Sequence, residues 1–265
     1  MKKKIAVLCK NDDREVIEII DYFYRKNMPV DLLLIETGKP EYKTVKKVIS
    51  WELIAKRNKG NILHKCIAKV LKTFGINYSK KNFHLWKIFK TLSMKKISEK
   101  AGFTIAEVER HSSYESKKIL DDHEISYVLY KSSNYLIKEP LLTMENRKII
   151  NAHCAKLPEH RGLDSLPWSV YCGDITGITT HYINKDIDAG DILLFKEIKP
   201  DFNDDLISFR MKIDSFVPEI MYETVHGLIN NTIQPVSQNA NDGTLHRHMT
   251  AMEFKQAEER FKQYK

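Results

Sequence analysis

The stretch "KIAVLCKNDDREVIEIIDYFYRKNMPVDLLLIE", residues 4–36, decides the fold class. "KIAVLCK" is a short β-branched run, and the chain then turns acidic through "DDRE". "VIEIIDYFYR" places apolar residues at helical spacing, and "VDLLLIE" is a second uninterrupted apolar run. The opening is therefore β-α-β. Strands that are apolar throughout belong in a parallel sheet buried on both faces. The same alternation resumes after residue 100. "FTIAEVERH" predicts a strand, "ESKKILDDH" a helix, "ISYVLY" and "RKIINAH" strands, and "DSLPWSVYCGD" a helix. "GITTHYI" and "GDILLFKEI" are two further strands. The expectation is an α/β, Rossmann-like, mostly parallel sheet with helices on both faces.

Between these halves the texture changes. Residues 41–100 hold 16 Lys or Arg against three acids, a local charge of +13 in a chain whose total is +8. "YKTVKKVISWELIAKR", "ILHKCIAKVLKTFG" and "FHLWKIFKTLS" read as amphipathic basic helices. After Lys199 the residues read as a long helix, a polar loop and a charged helix, with Pro218 kinking or breaking the long one. The expected organisation is a domain over 1–200 carrying a helical insert at about 41–100, then a helical extension over 201–265. No apolar run approaches the roughly 18 residues of a membrane span. The start lacks the apolar core of a signal peptide. The four cysteines show neither metal-site nor disulfide-framework spacing, so a reduced cytoplasmic compartment is expected.

Chemistry is concentrated in "INAHCAKLPEHRG", residues 150–162. Asn151 and His153 are two apart on a strand and therefore share a face. In an open parallel sheet, ligands bind beyond the carboxyl ends of the strands. Taken alone, the pair is a site or a well-bonded turn. "TGITTHYINKDIDAGDILL" adds His181, Asp186, Asp188 and Asp191 in a strand-loop-strand arrangement. An amide, an imidazole and a carboxylate meeting in one cleft can perform acid-base work on an acyl transfer. A loop of solvated aspartates beside a core histidine is the plainer alternative.

Residues 125–198 resemble the folate-dependent formyltransferase family. That family includes glycinamide ribonucleotide transformylase, methionyl-tRNA formyltransferase and the sugar N-formyltransferases. The resemblance is carried by Asn151-Ala-His153, Leu157-Pro158, Arg161-Gly162, Thr176-Gly177, His181 and Asp188-Ala-Gly190. It implies a catalytic triad of Asn151, His153 and Asp188, with His181 supporting the aspartate. N10-formyltetrahydrofolate is the implied formyl donor, held by Tyr135, Leu136 and Ile137 and by Asp186, Ile187 and Asp188. Arg161 and Trp168 fall to the acceptor side, and no metal is implied. The family's usual Pro-Ser-Leu after the histidine is replaced here by Cys154-Ala-Lys156, where the pocket is expected to differ. Cys154 lies on the opposite strand face from His153 and is expected to be packed rather than nucleophilic.

For the acceptor amine, the first βα turn is informative. "CKNDDRE" has no glycine to admit a phosphate and carries three acids, which argues against glycinamide ribonucleotide. The helical reading after Lys199 argues against the C-terminal barrel of enzymes that act on methionyl-tRNA. A dTDP- or UDP-linked amino sugar, of the kind built into lipopolysaccharide, is the expected acceptor. The alternatives are another amine, or a non-catalytic folate-binding module. The basic insert is read as a solvated face or a diphosphate-binding face, with peripheral membrane contact possible and nucleic acid less favoured. A homodimer is left open. "HRH", residues 246–248, resembles a metal pair only superficially: His246 and His248 are read as lacking nearby Cys or acidic ligands, so a surface or substrate-side role is expected.

Overall fold

The computed structural model describes residues 3–10, 15–38, 98–99, 101–131, 135–144 and 147–264. The basic helices expected between 41 and 97 lie outside the described residues, as do Asn11–Arg14 of the first βα turn. The chain divides into two compact units, residues 1–43 with 101–265 and residues 44–100.

The opening β-α-β is present as β1 (Lys4–Lys10), α1 (Glu15–Arg25) and β2 (Leu32–Glu36). β3 (Thr104–Val108), α2 (Tyr114–Asp122), β4 (Ile125–Tyr130) and β5 (Ile149–His153) follow. Next come β6 (His160–Gly162), α3 (Ser165–Cys172), β7 (Gly177–Tyr182) and β8 (Ile192–Glu197). The seven-stranded sheet has the order β3-β2-β1-β4-β5-β7-β8. β3, β2, β1, β4 and β5 run parallel, while β7 and β8 are antiparallel additions. Ile5, Ala6, Val7 and Leu8 are consecutive and all fully buried, and so are Leu32, Leu33 and Leu34. Burial without alternation means that both faces of the central strands are covered.

The strand order reverses between β1 and β4, so the carboxyl end of β5 lies one strand from the switch point. β5 changes character along its length. Ile149 and Ile150 are core residues, and the polar Asn151 and His153 follow at the end of the same strand.

The long C-terminal helix is broken at the proline, into α4 (Leu206–Ser215) and α5 (Val217–Ile229). Pro218 sits in the first turn of α5, where its missing N–H costs no helical bond. α5 packs on α1, with Tyr222 edge-on to Tyr22 and Phe23. The tail beyond α5 is not helical throughout. It contains β9 (Thr244–His246), which pairs with β6 in a separate two-stranded sheet. The terminal helix α6 (Ala251–Tyr264) packs against α3, and its Phe261 stacks on Phe209 of α4. Among the described residues, no helix is long and apolar enough to cross a membrane.

Candidate active site

The antiparallel register of β5 and β7 sets Asn151 opposite His181. Cross-strand neighbours share a face, and the Asn151 Nδ2 lies 3.1 Å from His181 Nε2. The other nitrogen of His181 lies 2.9 Å from the Tyr182 carbonyl oxygen. Nδ1–H therefore donates to that carbonyl, and Nε2 is left to accept from the amide. This contact uses one of the two Asn151 amide hydrogens and fixes the direction of the other.

After β7 the chain bends back on itself through residues 183–191. Gly190 permits the bend, because a Cβ there would fall 1.9 Å from the Tyr182 carbonyl oxygen. Asp188 adopts φ 50°, a left-handed conformation that costs a non-glycine residue about 1 kcal/mol. In that conformation its carboxylate meets three groups. Gly162 N–H donates to Oδ2 at 2.9 Å. His153 Nδ1 lies 3.4 Å from Oδ2, and His181 Nε2 lies 3.5 Å from Oδ1. Burial works to raise the Asp188 pKa, but His153, His181 and the Gly162 N–H outweigh it and hold it at about 2. The group is a carboxylate at any physiological pH.

His153 is buried, and its Nε2 lies 2.7 Å from the His160 carbonyl oxygen. Loss of solvation pushes its pKa below the ordinary histidine value, while Asp188 pulls the other way and His181 and Arg210 add to the lowering. An imidazole that donates through Nε2 to a carbonyl leaves Nδ1 facing the carboxylate. The ring is thus held between a backbone acceptor and an anion.

Other residues singled out in the sequence are placed as follows. Leu136 and Ile187 are 61% and 44% exposed, unusual for large aliphatic side chains, whereas Ile137 is buried in the core. Tyr135 carries the Arg110 guanidinium 4.4 Å above its ring. Arg161 is buried on β6. Trp168 stacks on His246, with ring centres 4.7 Å apart, and its Nε1–H donates to the Arg247 carbonyl oxygen at 3.0 Å. The "CAK" departure is tied inward. Cys154 is buried with Sγ 3.7 Å from Asp214 Oδ1, and the Ala155 carbonyl accepts from Thr179 at 2.6 Å. Lys156 pairs with Glu159.

Residue types did not reveal two backbone groups of the site, the Gly162 N–H and the His160 carbonyl. Any residue offers those atoms, so only the fold exposes them. The "HRH" segment also has partners from far along the chain. His246 Nε2 lies 3.0 Å from His160 Nδ1, and His248 Nδ1 lies 3.1 Å from Asp164 Oδ2. Burial, with His160 and His153 nearby, pushes His246 down to about 4.

Comparison with known proteins shows the family. The formyl transferase family model matches residues 3–225, and the chain belongs to that family. It is 26% identical over 158 residues to a methionyl-tRNA formyltransferase of Lachnospira eligens, covering 58% of this chain and 50% of that protein. The Staphylococcus aureus (strain Newman) methionyl-tRNA formyltransferase is 28% identical over 152 residues, with 57% and 49% covered. The chain thus spans about half the length of the curated relatives it matches. In fold it resembles a sugar N-formyltransferase from Shewanella sp. FDAARGOS_354, with a TM-score of 0.58, 13% identity, and 97% and 87% of the two chains covered. A phosphoribosylglycinamide formyltransferase from Anaplasma phagocytophilum gives a TM-score of 0.57 at 15% identity, covering 90% and 97%.

Proposed function

We propose that this chain moves a formyl group from N10-formyltetrahydrofolate to the amine of a nucleotide-linked amino sugar. The observation that carries the reading is the convergence of His153 and His181 on a half-buried Asp188 held in a left-handed backbone conformation, with Asn151 set against His181. Strain of this kind persists only where the surroundings over-determine it, and it gathers at functional sites.

The donor supplies an electrophilic formyl carbon. Its pterin is assigned to residues 135–137 and 186–188, and the exposed Leu136 and Ile187 offer apolar surface that a flat heteroaromatic ring would cover. Asn151 turns its second amide hydrogen toward the negative charge that develops on oxygen as the amine attacks. His153 gives the same charge a second donor when its Nε2–H leaves the His160 carbonyl. Asp188 takes up the proton that the amine releases, directly or through one water. The bond from the formyl carbon to N10 then breaks, that proton passes to N10, and tetrahydrofolate leaves.

The amino-sugar acceptor rests on the sequence of the first βα connection, "CKNDDRE", which carries three acids and none of the glycines that let a backbone approach a phosphate closely. A second reading has its own support. The curated relatives act, by name, on methionyl-tRNA, and residues 41–100 are strongly basic. The test is to incubate the protein with N10-formyltetrahydrofolate and dTDP- and UDP-amino sugars, glycinamide ribonucleotide and charged initiator tRNA. N-formyl sugar is the expected product. Formylated methionyl-tRNA alone would replace the acceptor, and folate binding with no turnover on any amine would leave a binding module.

A further inference from the structure

A second constellation lies on the far side of β6, in residues 160–174. His160 is buried, with Nε2 2.9 Å from Asp174 Oδ2. The ligating atoms of His160, Cys172 and Asp174 all lie within 4.8 Å of one another. Local backbone geometry makes this possible. α3 ends at Cys172, and Gly173 adopts φ 80°, closing the helix with N–H bonds from Gly173 and Asp174 back to Val170 and Ser169. That reversal brings Cys172 and Asp174 round to the same histidine from either side of one glycine. Their side chains face solvent, so an ion has an entry path. Burial and the neighbouring Asp174 carboxylate push the Cys172 thiol up, with Arg260 acting the other way, and a coordinating ion would displace the thiol proton.

We propose that His160 Nε2, Cys172 Sγ and Asp174 Oδ2 form a binding site for a divalent metal ion of the zinc class. One imidazole, one thiolate and one carboxylate are a donor set for Zn2+ or Co2+, not for Mg2+ or Ca2+, which take oxygen ligands. In tetrahedral geometry three protein ligands leave one position for water. The second shell is also present. The other ring nitrogen of His160 meets His246 Nε2 at 3.0 Å, and His246 is itself stacked on Trp168. Metal-bound histidines are oriented by such a contact at the second nitrogen. A bound ion would clamp β6 to the end of α3. The His160 carbonyl that holds His153 would then sit on a cross-linked segment.

The test uses the full chain, stripped with chelator and titrated with Co2+ and with Zn2+ against a chromophoric chelator. One equivalent should bind, and the cobalt form should show thiolate-to-metal charge-transfer absorption. Cys172→Ser should abolish that absorption. Cys172→Ser and Asp174→Asn should each weaken Zn2+ binding at least about tenfold, since loss of even a second-shell partner costs 10- to 100-fold. Both side chains are exposed, so these variants keep the fold, and Cys66→Ser should leave binding unchanged. The proposal is overturned if the wild type binds no equivalent, if the cobalt spectrum lacks the thiolate band, or if both ligand variants bind like wild type.

Discussion

Two histidine clusters meet at β6 and use it differently. On one side the His160 carbonyl meets His153 and the Gly162 N–H meets Asp188, and on the other the His160 ring faces Asp174, Cys172 and His246. The carboxylates mark the difference. The Asp188 side chain is 15% exposed and carries a backbone N–H and two imidazoles as neighbours, whereas the Asp174 side chain is 54% exposed. A carboxylate kept from water must be matched by fixed donors, and fixed donors are what acid-base chemistry needs. An exposed carboxylate can rearrange around an ion that arrives from solvent. The same residue types therefore point to a proton-handling site in one place and a ligand set in the other.

The sharpest way to break this contrast is to neutralise each carboxylate. Asp188→Asn should lower formyl transfer about 10³-fold, the scale of a lost general acid-base group. Asp174→Asn should change it less than about threefold in chelator-treated protein. Asn151→Ala should lower transfer by about 10²-fold or more, as loss of one oxyanion donor does. The readout is steady-state formylation with the best amine from the acceptor panel. Equal losses at Asp188 and Asp174 would erase the distinction between the clusters.

Much of the first cluster was visible in the sequence, and the second was not. The β-α-β opening, the strand holding Asn151 and His153, and the break at Pro218 followed from apolar spacing and proline chemistry. Asp188 could be joined to them because the family pattern spans residues 151–190. The pairing of β6 with β9 could not be read. Three-residue strands leave no periodicity, and their partners lie more than 80 residues apart. "HRH" therefore looked isolated, although His246 and His248 both have close partners. The substrate side shows the same limit. That Trp168 is stacked on and hydrogen-bonded to the C-terminal segment has no signal in its residue type.

Glycine replacements sharpen the comparison through the backbone. In Gly190→Ala the new methyl would sit 1.9 Å from a backbone oxygen, so the loop that carries Asp188 must move. A loss of about 2 kcal/mol or more is expected, in the range of overpacked sites. Gly173→Ala meets nothing within 4 Å, and its cost comes from φ 80° alone, about 1 kcal/mol. Denaturant unfolding of both variants checks the order, and Gly190→Ala should also lose transfer activity.

Acid titration probes the half-buried Asp188 carboxylate directly. The folded Asp188 titrates at about 2, below its ordinary value of 3.8. Its contribution is therefore present above pH 3.8 and is lost as the pH falls toward 2. The difference corresponds to about 2 kcal/mol. His153 is also depressed, by burial, so its contribution is present above its ordinary 6.5 and fades as acid forces a proton onto it. Wild-type stability should fall as the pH drops below 6.5, and fall further below 4. Asp188→Asn should lose the lower step, which urea unfolding at a series of pH values would show.

The smallest effect separates the two roles assigned to Trp168. If the ring only ties α3 to the C-terminal segment, Trp168→Phe keeps an aromatic face against His246 and loses one hydrogen bond to the Arg247 carbonyl. The expected cost is about 1 kcal/mol of stability, with KM for the amine unchanged within about twofold. If the ring instead touches the acceptor, KM rises while stability barely moves. The packing favours the first outcome, because the Nε1–H is already used within the chain and one face is covered by His246. A raised KM in a variant of normal stability would return Trp168 to the acceptor pocket, and would show that the segment from 244 to 248 moves aside when the acceptor binds.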